Sequence, residues 1–183
     1  MRLFLTRHGE STYNAEGRYA GSTDVPLSET GVRQARELAV KLKDTAFDVI
    51  ISSALARARQ TADIINEYHN LGVIAMEGFN ERNIGVFEGL TRKEAMERYP
   101  QVWERRSTRA VDDAPDGGET IRQVNTRVSV ALRRLKEEYT GKKALLVCHG
   151  FTARVINRII NNLAYEDMHG FTLDNCEVAE YEL

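Results

Sequence analysis

The chain has 183 residues, 42% of them hydrophobic, and its 25 basic residues nearly balance 27 acidic ones for a formal net charge of −2. This length predicts one domain, residues 1–183, and the balanced charge without a basic block argues against a nucleic-acid partner or a membrane-surface protein. The apolar start is too short for a signal peptide, no run reaches the roughly 18 to 20 apolar residues that cross a bilayer, and the two cysteines have no paired spacing. We therefore expect a soluble protein of the cytoplasm, and its oligomeric state stays open.

Apolar strand-like runs alternate with helical patterns along the chain, which predicts βαβ units and a mostly parallel sheet. A first strand, 2–7, leads into a polar loop over 10–27. Next in chain order come helix 29–43, strand 48–52, helix 55–68, strand 73–76 and helix 91–99. The remaining predicted elements are helix 121–139, strand 144–148, helix 151–162 and a closing strand 176–183. The pattern is typical of a single-domain α/β protein with three layers, α/β/α, and a mostly parallel central sheet.

Residues 77–118 carry the weakest pattern. They contain the helix over 91–99, which Pro100 stops, a continuation over 102–106, and a loop over 112–118. We interpret this region as a lid-like insertion over the strand ends and the active site, and not as a separate domain.

Two of the predicted strands end in a histidine followed by glycine, at His8-Gly9 and at His149-Gly150. In an open α/β sheet, ligands collect at the carboxyl ends of the strands. If the two strands are parallel neighbours, both imidazoles stand over one crevice together with Arg7. Two histidines and an arginine at one crevice point to chemistry on an anion.

The residue types at this crevice suit a phosphoryl group. Arg7 offers a planar fork for bidentate phosphate binding, and the neutral imidazole of His8 can attack phosphorus to form a phosphohistidine. Arg57 lies in the first turn of a predicted helix, and helix N-termini attract anions. A carboxylic acid on the loop over 79–89 would protonate a departing alkoxide. Spacing alone does not distinguish Glu81 from Glu88 for that task.

Several motifs in register carry a resemblance to a known family, over essentially the whole chain. They are Arg7-His8-Gly9-Glu10-Ser11-Thr12 with Asn14, Ser52-Ser53 with Arg57, Asn80-Glu81 with Glu88-Gly89, Gly118-Glu119, and His149-Gly150 with Arg154. In these motifs the chain resembles the histidine phosphatase superfamily, which includes the cofactor-dependent phosphoglycerate mutases. The resemblance implies a phosphoglycerate mutase-like fold, with His8 as nucleophile and with Arg7, Arg57 and His149 as phosphate ligands. It also implies Glu81 as the proton donor and Asn14 as a pocket residue, and we place Gly21 and Gly150 with the substrate-binding residues.

Departures from the family pattern favour its phosphatase branch. Ile84 stands three residues beyond Glu81, where the phosphoglycerate mutases of this family carry a tyrosine, and the insertion before Gly118-Glu119 is shorter than theirs. Other residues resemble the mutases. Arg105 and Arg106 resemble the paired arginines that grip a carboxylated substrate, and Arg92 resembles a substrate-binding lysine. A phosphoester that carries a carboxylate therefore stays open as the substrate.

The resulting prediction is a metal-independent phosphomonoesterase without a cofactor, acting on a small phosphorylated metabolite through a phosphohistidine. Arg7, Arg57 and a protonated His149 would hold the non-bridging oxygens while His8 attacks. The alternatives are a cofactor-dependent phosphoglycerate mutase and a non-catalytic phosphate-binding module. A metal-dependent hydrolase that uses His8, His149 and Cys148 is disfavoured, because the neighbouring side chains of Cys148 and His149 should face opposite ways. Sugar phosphates, phosphoglycerates, α-ribazole phosphate and phosphorylated amino acids all fit as substrates, and His169 is predicted to be a surface residue.

Overall fold

The computed structural model describes all residues, 1–183, and contains a five-stranded sheet between two layers of helices. The strands are β1 (Arg2–Arg7), β2 (Val49–Ser52), β3 (Val73–Ala75), β4 (Lys143–Cys148) and β5 (Val178–Glu182). They lie in the order β3-β2-β4-β1-β5, and only the edge strand β5 runs antiparallel to its neighbour. The predicted α/β fold with a mostly parallel central sheet is confirmed.

The helices form the two outer layers and the segment between β3 and β4. They are α1 (Thr12–Ala15), α2 (Glu29–Leu42), α3 (Ala56–Asn66), α4 (Arg92–Arg98), α5 (Pro100–Glu104), α6 (Ile121–Glu138) and α7 (Gly150–Ile160). None of them is long and apolar enough to cross a membrane.

Two apolar cores lie on opposite faces of the sheet because successive strand residues point to opposite sides. Leu3 and Leu5 of β1 pack with α6 and α7, whereas Phe4 packs with α2 and α3. Strands that are buried on both faces appear in the sequence as continuous apolar runs, which is why the runs of β1 and β4 were readable from the chain.

The predicted strands and helices match the observed ones to within two residues at each end. One helix was missed: α1 lies inside the loop predicted over 10–27. A four-residue helix is too short to show a period, and a capping box closes it, in which Ser11 and Asn14 each bond the other's backbone N–H. Pro100 also has a second role, because it both follows α4 and begins α5 at the first helical turn, where its missing N–H costs nothing.

Residues 77–118 have a small apolar cluster of their own, built on Phe87, Ala95 and Val102. The segment contains two 3₁₀ turns, Glu77–Phe79 and Gly85–Phe87, besides α4 and α5. Its interpretation as a lid over the active site stays a prediction.

The register between β1 and β4 positions the functional site. The two strands pair in parallel with Arg7 opposite Cys148, and the His8 N–H donates to the Cys148 carbonyl at 3.0 Å. His8 and His149 therefore leave two adjacent strands at the same level. Because β1 and β4 are parallel neighbours, both imidazoles can face one crevice, as the sequence predicted.

Candidate active site

A cavity of about 440 Å³ opens at the carboxyl ends of β1, β2 and β4. It collects residues from distant parts of the sequence. Among the residues predicted for the site, its lining includes Arg7, His8, Asn14, Gly21, Arg57, Glu81 and Gly150. The His149 ring lies behind this lining, with its centroid 5.0 Å from that of His8.

The buried His8 ring is held with one nitrogen free for attack. Its Nδ1 lies 2.6 Å from the Gly9 carbonyl oxygen, so Nδ1 carries the hydrogen and donates it. Nε2 then keeps its lone pair, toward which the Arg57 Nε–H points at 3.2 Å. Burial, followed by the positive charge of Arg57, lowers the pKa of His8 well below its usual value. The ring is therefore neutral, which is the form that a nucleophile requires.

Arg57 is buried at the start of α3, with its guanidinium clamped by backbone. Its two terminal nitrogens donate to the carbonyl oxygens of Thr23 and Gly21, at 2.8 and 2.7 Å. These bonds compensate the cost of burying the fork and fix its direction. Burial lowers the pKa of Arg57, but an arginine starts so high that it stays charged.

Glu88 does not line the cavity; it holds the loop that clamps Arg57. Its carboxylate accepts hydrogen bonds from the backbone N–H of Ser22 at 2.7 Å and from the Thr23 hydroxyl at 2.5 Å. Gly21, at a φ of +51°, lies so close that a Cβ there would collide with this carboxylate. The structure thus separates Glu81, in the cavity, from Glu88, behind it. Spacing in the sequence carried no signal for this difference.

Arg7 lies at the end of β1 with part of its guanidinium unused. One terminal nitrogen donates to the Leu173 carbonyl at 3.3 Å, while its buried Nε has no partner. Gly150 lies beside it, since a Cβ at that position would be 3.6 Å from Arg7 Nε. The free N–H groups of Arg7 are available to a ligand in the cavity.

His149 is fully buried, and a serine decides which of its nitrogens carries the hydrogen. Its Nε2 lies 2.6 Å from Ser53 Oγ, which already accepts the Leu55 N–H at 3.1 Å. The serine hydrogen has no acceptor other than Nε2, so Nδ1 of His149 carries the ring hydrogen. That Nδ1 is buried without a partner. Sequence reasoning noted Ser53 only as part of a motif, because its bond to His149 spans 96 positions.

The surroundings of His149 disfavour the protonated ring that was expected from the sequence. Burial, followed by the positive charge of Arg57, lowers the pKa of His149 well below its usual value. The ring is therefore neutral in the unliganded protein. Its Nδ1–H is a buried donor without a partner, and the ring carries no full positive charge.

Glu81 is docked on the N-terminus of α7. Its Oε2 accepts the Phe151 N–H at 3.0 Å, and its Oε1 accepts the N–H and the hydroxyl of Thr152 at 3.2 and 3.1 Å. A helix N-terminus favours a carboxylate at this place. Because α7 starts directly after His149, the same segment positions this histidine and the candidate acid.

Asn14 reaches the cavity through α1. Its Oδ1 accepts the Ser11 N–H at 3.1 Å within the capping box. The amide group of Asn14 is left to face the cavity as a donor. A helix that the sequence pattern missed therefore positions one of the residues that the sequence predicted.

The three arginines predicted for the substrate from the mutase resemblance lie outside this cavity. Arg92 and Arg106 line a neighbouring cavity of about 500 Å³, where the Arg92 guanidinium stacks over Trp103. Arg105 lines neither cavity, because it pairs with Asp113 and Asp116 on the following loop. Carboxylates of a neighbouring loop hold Arg105 and an aromatic ring contacts Arg92, and the positions of these arginines in the sequence did not indicate either contact.

Other lining residues were not predicted for the site. Arg109 and Arg154 face the cavity, and so does His169, which is half-buried and not simply a surface residue. Arg154 was noted only as part of a motif, and the other two follow no strand and no motif. Their common place at the cavity depends on three separate segments of the chain.

Comparison with known proteins places this site in a family. A model of the histidine phosphatase superfamily (branch 1) matches residues 3–183. The chain belongs to the histidine phosphatase superfamily. The resemblance read from its motifs is thereby confirmed.

Named relatives of this histidine phosphatase include both phosphatases and a mutase. The chain is 39% identical to a Bacillus subtilis protein named as a phosphatase, PhoE, over 146 residues, 80% of this chain and 70% of PhoE. It is 32% identical over 184 residues to an Escherichia coli protein named as a probable phosphoglycerate mutase, GpmB, covering 100% of this chain and 85% of GpmB. The α-ribazole phosphatase of Shigella flexneri superposes with a TM-score of 0.93 at 27% identity, over 100% of this chain and 91% of that one. The family and these relatives identify the chain as a phosphoric monoester hydrolase.

Proposed function

We propose that this protein is a metal-independent phosphomonoesterase that passes the phosphoryl group of a small phosphorylated metabolite to His8 and then to water. The observation that carries the proposal is the state of His8. Its ring is neutral, its Nδ1–H is tied to Gly9, and its Nε2 lone pair lies beside the guanidinium of Arg57. A nucleophile held in this way needs no further deprotonation.

In the first step, Nε2 of His8 attacks phosphorus opposite the leaving oxygen, so that an N–P bond forms as the P–O bond breaks. The N–H groups of Arg7 and Arg57 and the Nδ1–H of His149 would bind the non-bridging oxygens. Such positioned donors stabilise the charge of the transition state most strongly in a site that excludes water. The Arg57 Nε–H, which points at His8 Nε2, would donate to an oxygen of the phosphoryl group that approaches this nitrogen.

Glu81 completes the proton balance. In its protonated form it gives a proton to the departing oxygen, which leaves as an alcohol. In the second step the carboxylate takes a proton from water while the water oxygen attacks phosphorus and the N–P bond breaks. Inorganic phosphate and the starting form of Glu81 result.

Positive charge at the site comes from arginines. No three His, Cys, Asp or Glu side chains of the chain come together as ligands for a metal ion. Arg7 and Arg57 both line the cavity beside His8. Guanidinium groups can form bidentate hydrogen bonds to a phosphoryl group and stabilise its charge without a metal.

A phosphoglycerate mutase is the second candidate, since GpmB is a relative. A mutase must shield its phosphohistidine from water and return the group to a second hydroxyl of the substrate. Ile84 in the lining and the short segment before Gly118 favour hydrolysis. A binding module without turnover is disfavoured because His8, Arg57 and Glu81 are all present at the cavity. A location in the cytoplasm stays a prediction, which cell fractionation would test.

The test is phosphate release from a panel of phosphomonoesters in the presence of a chelator. We expect release by the wild type and none by His8→Ala, while His69→Gln, outside the cavity, keeps full activity. Radiolabelled substrate should leave on the wild type a label that survives alkali and is lost in acid, as a phosphohistidine does. Interconversion of phosphoglycerates after a bisphosphate primer is added, without phosphate release, would establish the mutase instead.

A further inference from the structure

The outer end of the cavity contains two arginines and a histidine that the proposed chemistry does not use. Arg109 comes from the chain after α5, Arg154 from α7, and His169 from the 3₁₀ turn Asp167–Gly170. All three line the same cavity as His8. None of them touches the reacting atoms in the mechanism above.

These groups lie close enough to act on one another. Burial, followed by the charges of Arg154, Arg109 and Arg82, lowers the pKa of His169. Arg154 also lies within electrostatic reach of Arg7 at the inner end. Arg109, Arg154 and His169 therefore share one cavity with the proposed phosphate-binding residues Arg7 and Arg57.

Of the three arginines that act on His169, one is occupied by the fold and two are not. Arg82 donates to the backbone carbonyls of Glu119, Thr108 and Ser107, so it serves the fold. Arg154 donates only its Nε, to the Phe171 carbonyl at 2.9 Å, and its two terminal nitrogens have no partner. The Arg109 side chain makes neither a hydrogen bond nor an ion pair.

Three exposed arginines elsewhere in the chain provide a contrast. Arg105, Arg122 and Arg134 each pair with a carboxylate at 2.9 Å or less. Arg109 and Arg154 instead converge on a cavity without a counter-ion, an arrangement that like charges disfavour. An anion in the cavity would relieve the repulsion and accept the free N–H groups.

We propose that Arg109 and Arg154, beside His169, form a second anion-binding site for the leaving group, and that the preferred substrates carry a carboxylate or a second phosphate there. The inference rests on the proposed function, whose substrate class it narrows. An uncharged leaving group would leave these arginines without a partner, and sites that lose a polar partner in this way discriminate strongly.

The test uses two substrates that differ only at this place. In 3-phosphoglycerate a carboxylate stands where glycerol 3-phosphate has a hydroxymethyl group. We expect the wild type to release phosphate from 3-phosphoglycerate with a kcat/KM at least about 10-fold higher, the effect of a charge-assisted hydrogen bond. In Arg109→Gln this advantage should fall about 10-fold, while kcat/KM for glycerol 3-phosphate changes less than about 3-fold.

Matched variants distinguish the loss of the second anion-binding site from a general loss of activity. Arg154→Lys should lose part of the advantage, because an ammonium keeps the charge but not the fork. Arg98→Gln, an exposed arginine of α4 that lines neither cavity, should behave as the wild type. Equal losses for both substrates in Arg109→Gln, or no preference in the wild type, would overturn the inference.

Binding measurements test the second anion-binding site independently of the proposed phosphomonoesterase activity. Calorimetry with His8→Ala compares the affinities of 3-phosphoglycerate and glycerol 3-phosphate without turnover. Tighter binding of 3-phosphoglycerate that is lost with Arg109→Gln supports the second site even if no substrate is hydrolysed. Equal affinities, together with hydrolysis of p-nitrophenyl phosphate that depends on His8, would leave the proposed function standing and remove the second site.

Discussion

The two ends of the cavity are built in opposite ways. At the inner end, the polar side chains are buried and held: His8 by Gly9, Arg57 by two carbonyls, and His149 by Ser53. At the outer end, Arg109 and Arg154 leave most of their donors free. If the proposed function holds, the difference teaches that the chemistry uses side chains whose donors and acceptors are held by the fold, whereas substrate choice uses side chains whose donors are free.

Removing the candidate acid should have the largest effect of the changes that test this comparison. Glu81→Gln keeps the shape but cannot transfer a proton, so we expect hydrolysis of alkyl phosphates to fall roughly 10²- to 10⁴-fold. For p-nitrophenyl phosphate, whose leaving group needs no proton, the loss should be much smaller. Steady-state phosphate release from both substrates measures the difference. Equal losses would show that Glu81 does not act as the acid.

Removing the Ser53 hydroxyl, which bonds His149 Nε2, should have the next largest effect. Ser53→Ala removes the donor to Nε2 and leaves a buried polar atom unpaired, at a cost of about 1–3 kcal/mol. We expect kcat to fall about 10-fold or more, with recovery in Ser53→Thr, which keeps the hydroxyl. Nitrogen-15 NMR of the His149 ring reports whether the hydrogen stays on Nδ1. A tautomer that is unchanged in Ser53→Ala would remove the serine from this role.

Glu88 connects the segment 77–118 with the inner end of the cavity. It belongs to that segment, and its carboxylate holds the loop that clamps Arg57. Glu88→Gln should weaken the bonds to Ser22 and Thr23 and lower the free energy of unfolding by about 1–2 kcal/mol. Because Arg57 would then be held less firmly, activity should fall several-fold, and kcat should change more than KM. Urea unfolding and kinetics measure both. Glu97→Gln, an exposed glutamate of the same segment, serves as control, and equal behaviour of the two variants would contradict the connection.

The last expected effect, which concerns stability alone, is a pH dependence that comes from the inner end. The pKa values of His8 and His149 are lowered in the folded state, so the unfolded chain binds more protons near pH 6. The free energy of unfolding should therefore fall as pH drops below about 6.5, by up to about 1.4 kcal/mol per pH unit for each histidine.

Urea unfolding at pH 7.5, 6.5 and 5.5 tests this slope. His149→Gln should reduce it, whereas His169→Gln at the outer end should change it less because that ring is only half-buried. Stability that stays constant or rises toward pH 5.5 would show that the two inner histidines are not held neutral by the fold.

Some of the site could be predicted because it follows directly from strands. His8 and His149 each come one residue after a buried apolar run, and parallel strands end at one edge of the sheet. The sequence could not predict the places of Arg92 and Arg105, because Trp103 in one case and Asp113 with Asp116 in the other take these side chains.

By itself, the sequence determined the alternation of strands and helices, the strand-end histidines and the family, because each is a local pattern or an ordered set of motifs. Only the tertiary structure decided which groups meet across long stretches of chain. Examples are Ser53 with His149, Glu88 with the loop that holds Arg57, and Arg109 with Arg154 at the outer end. Such contacts depend on how the elements pack, and no period or spacing along the chain records that packing.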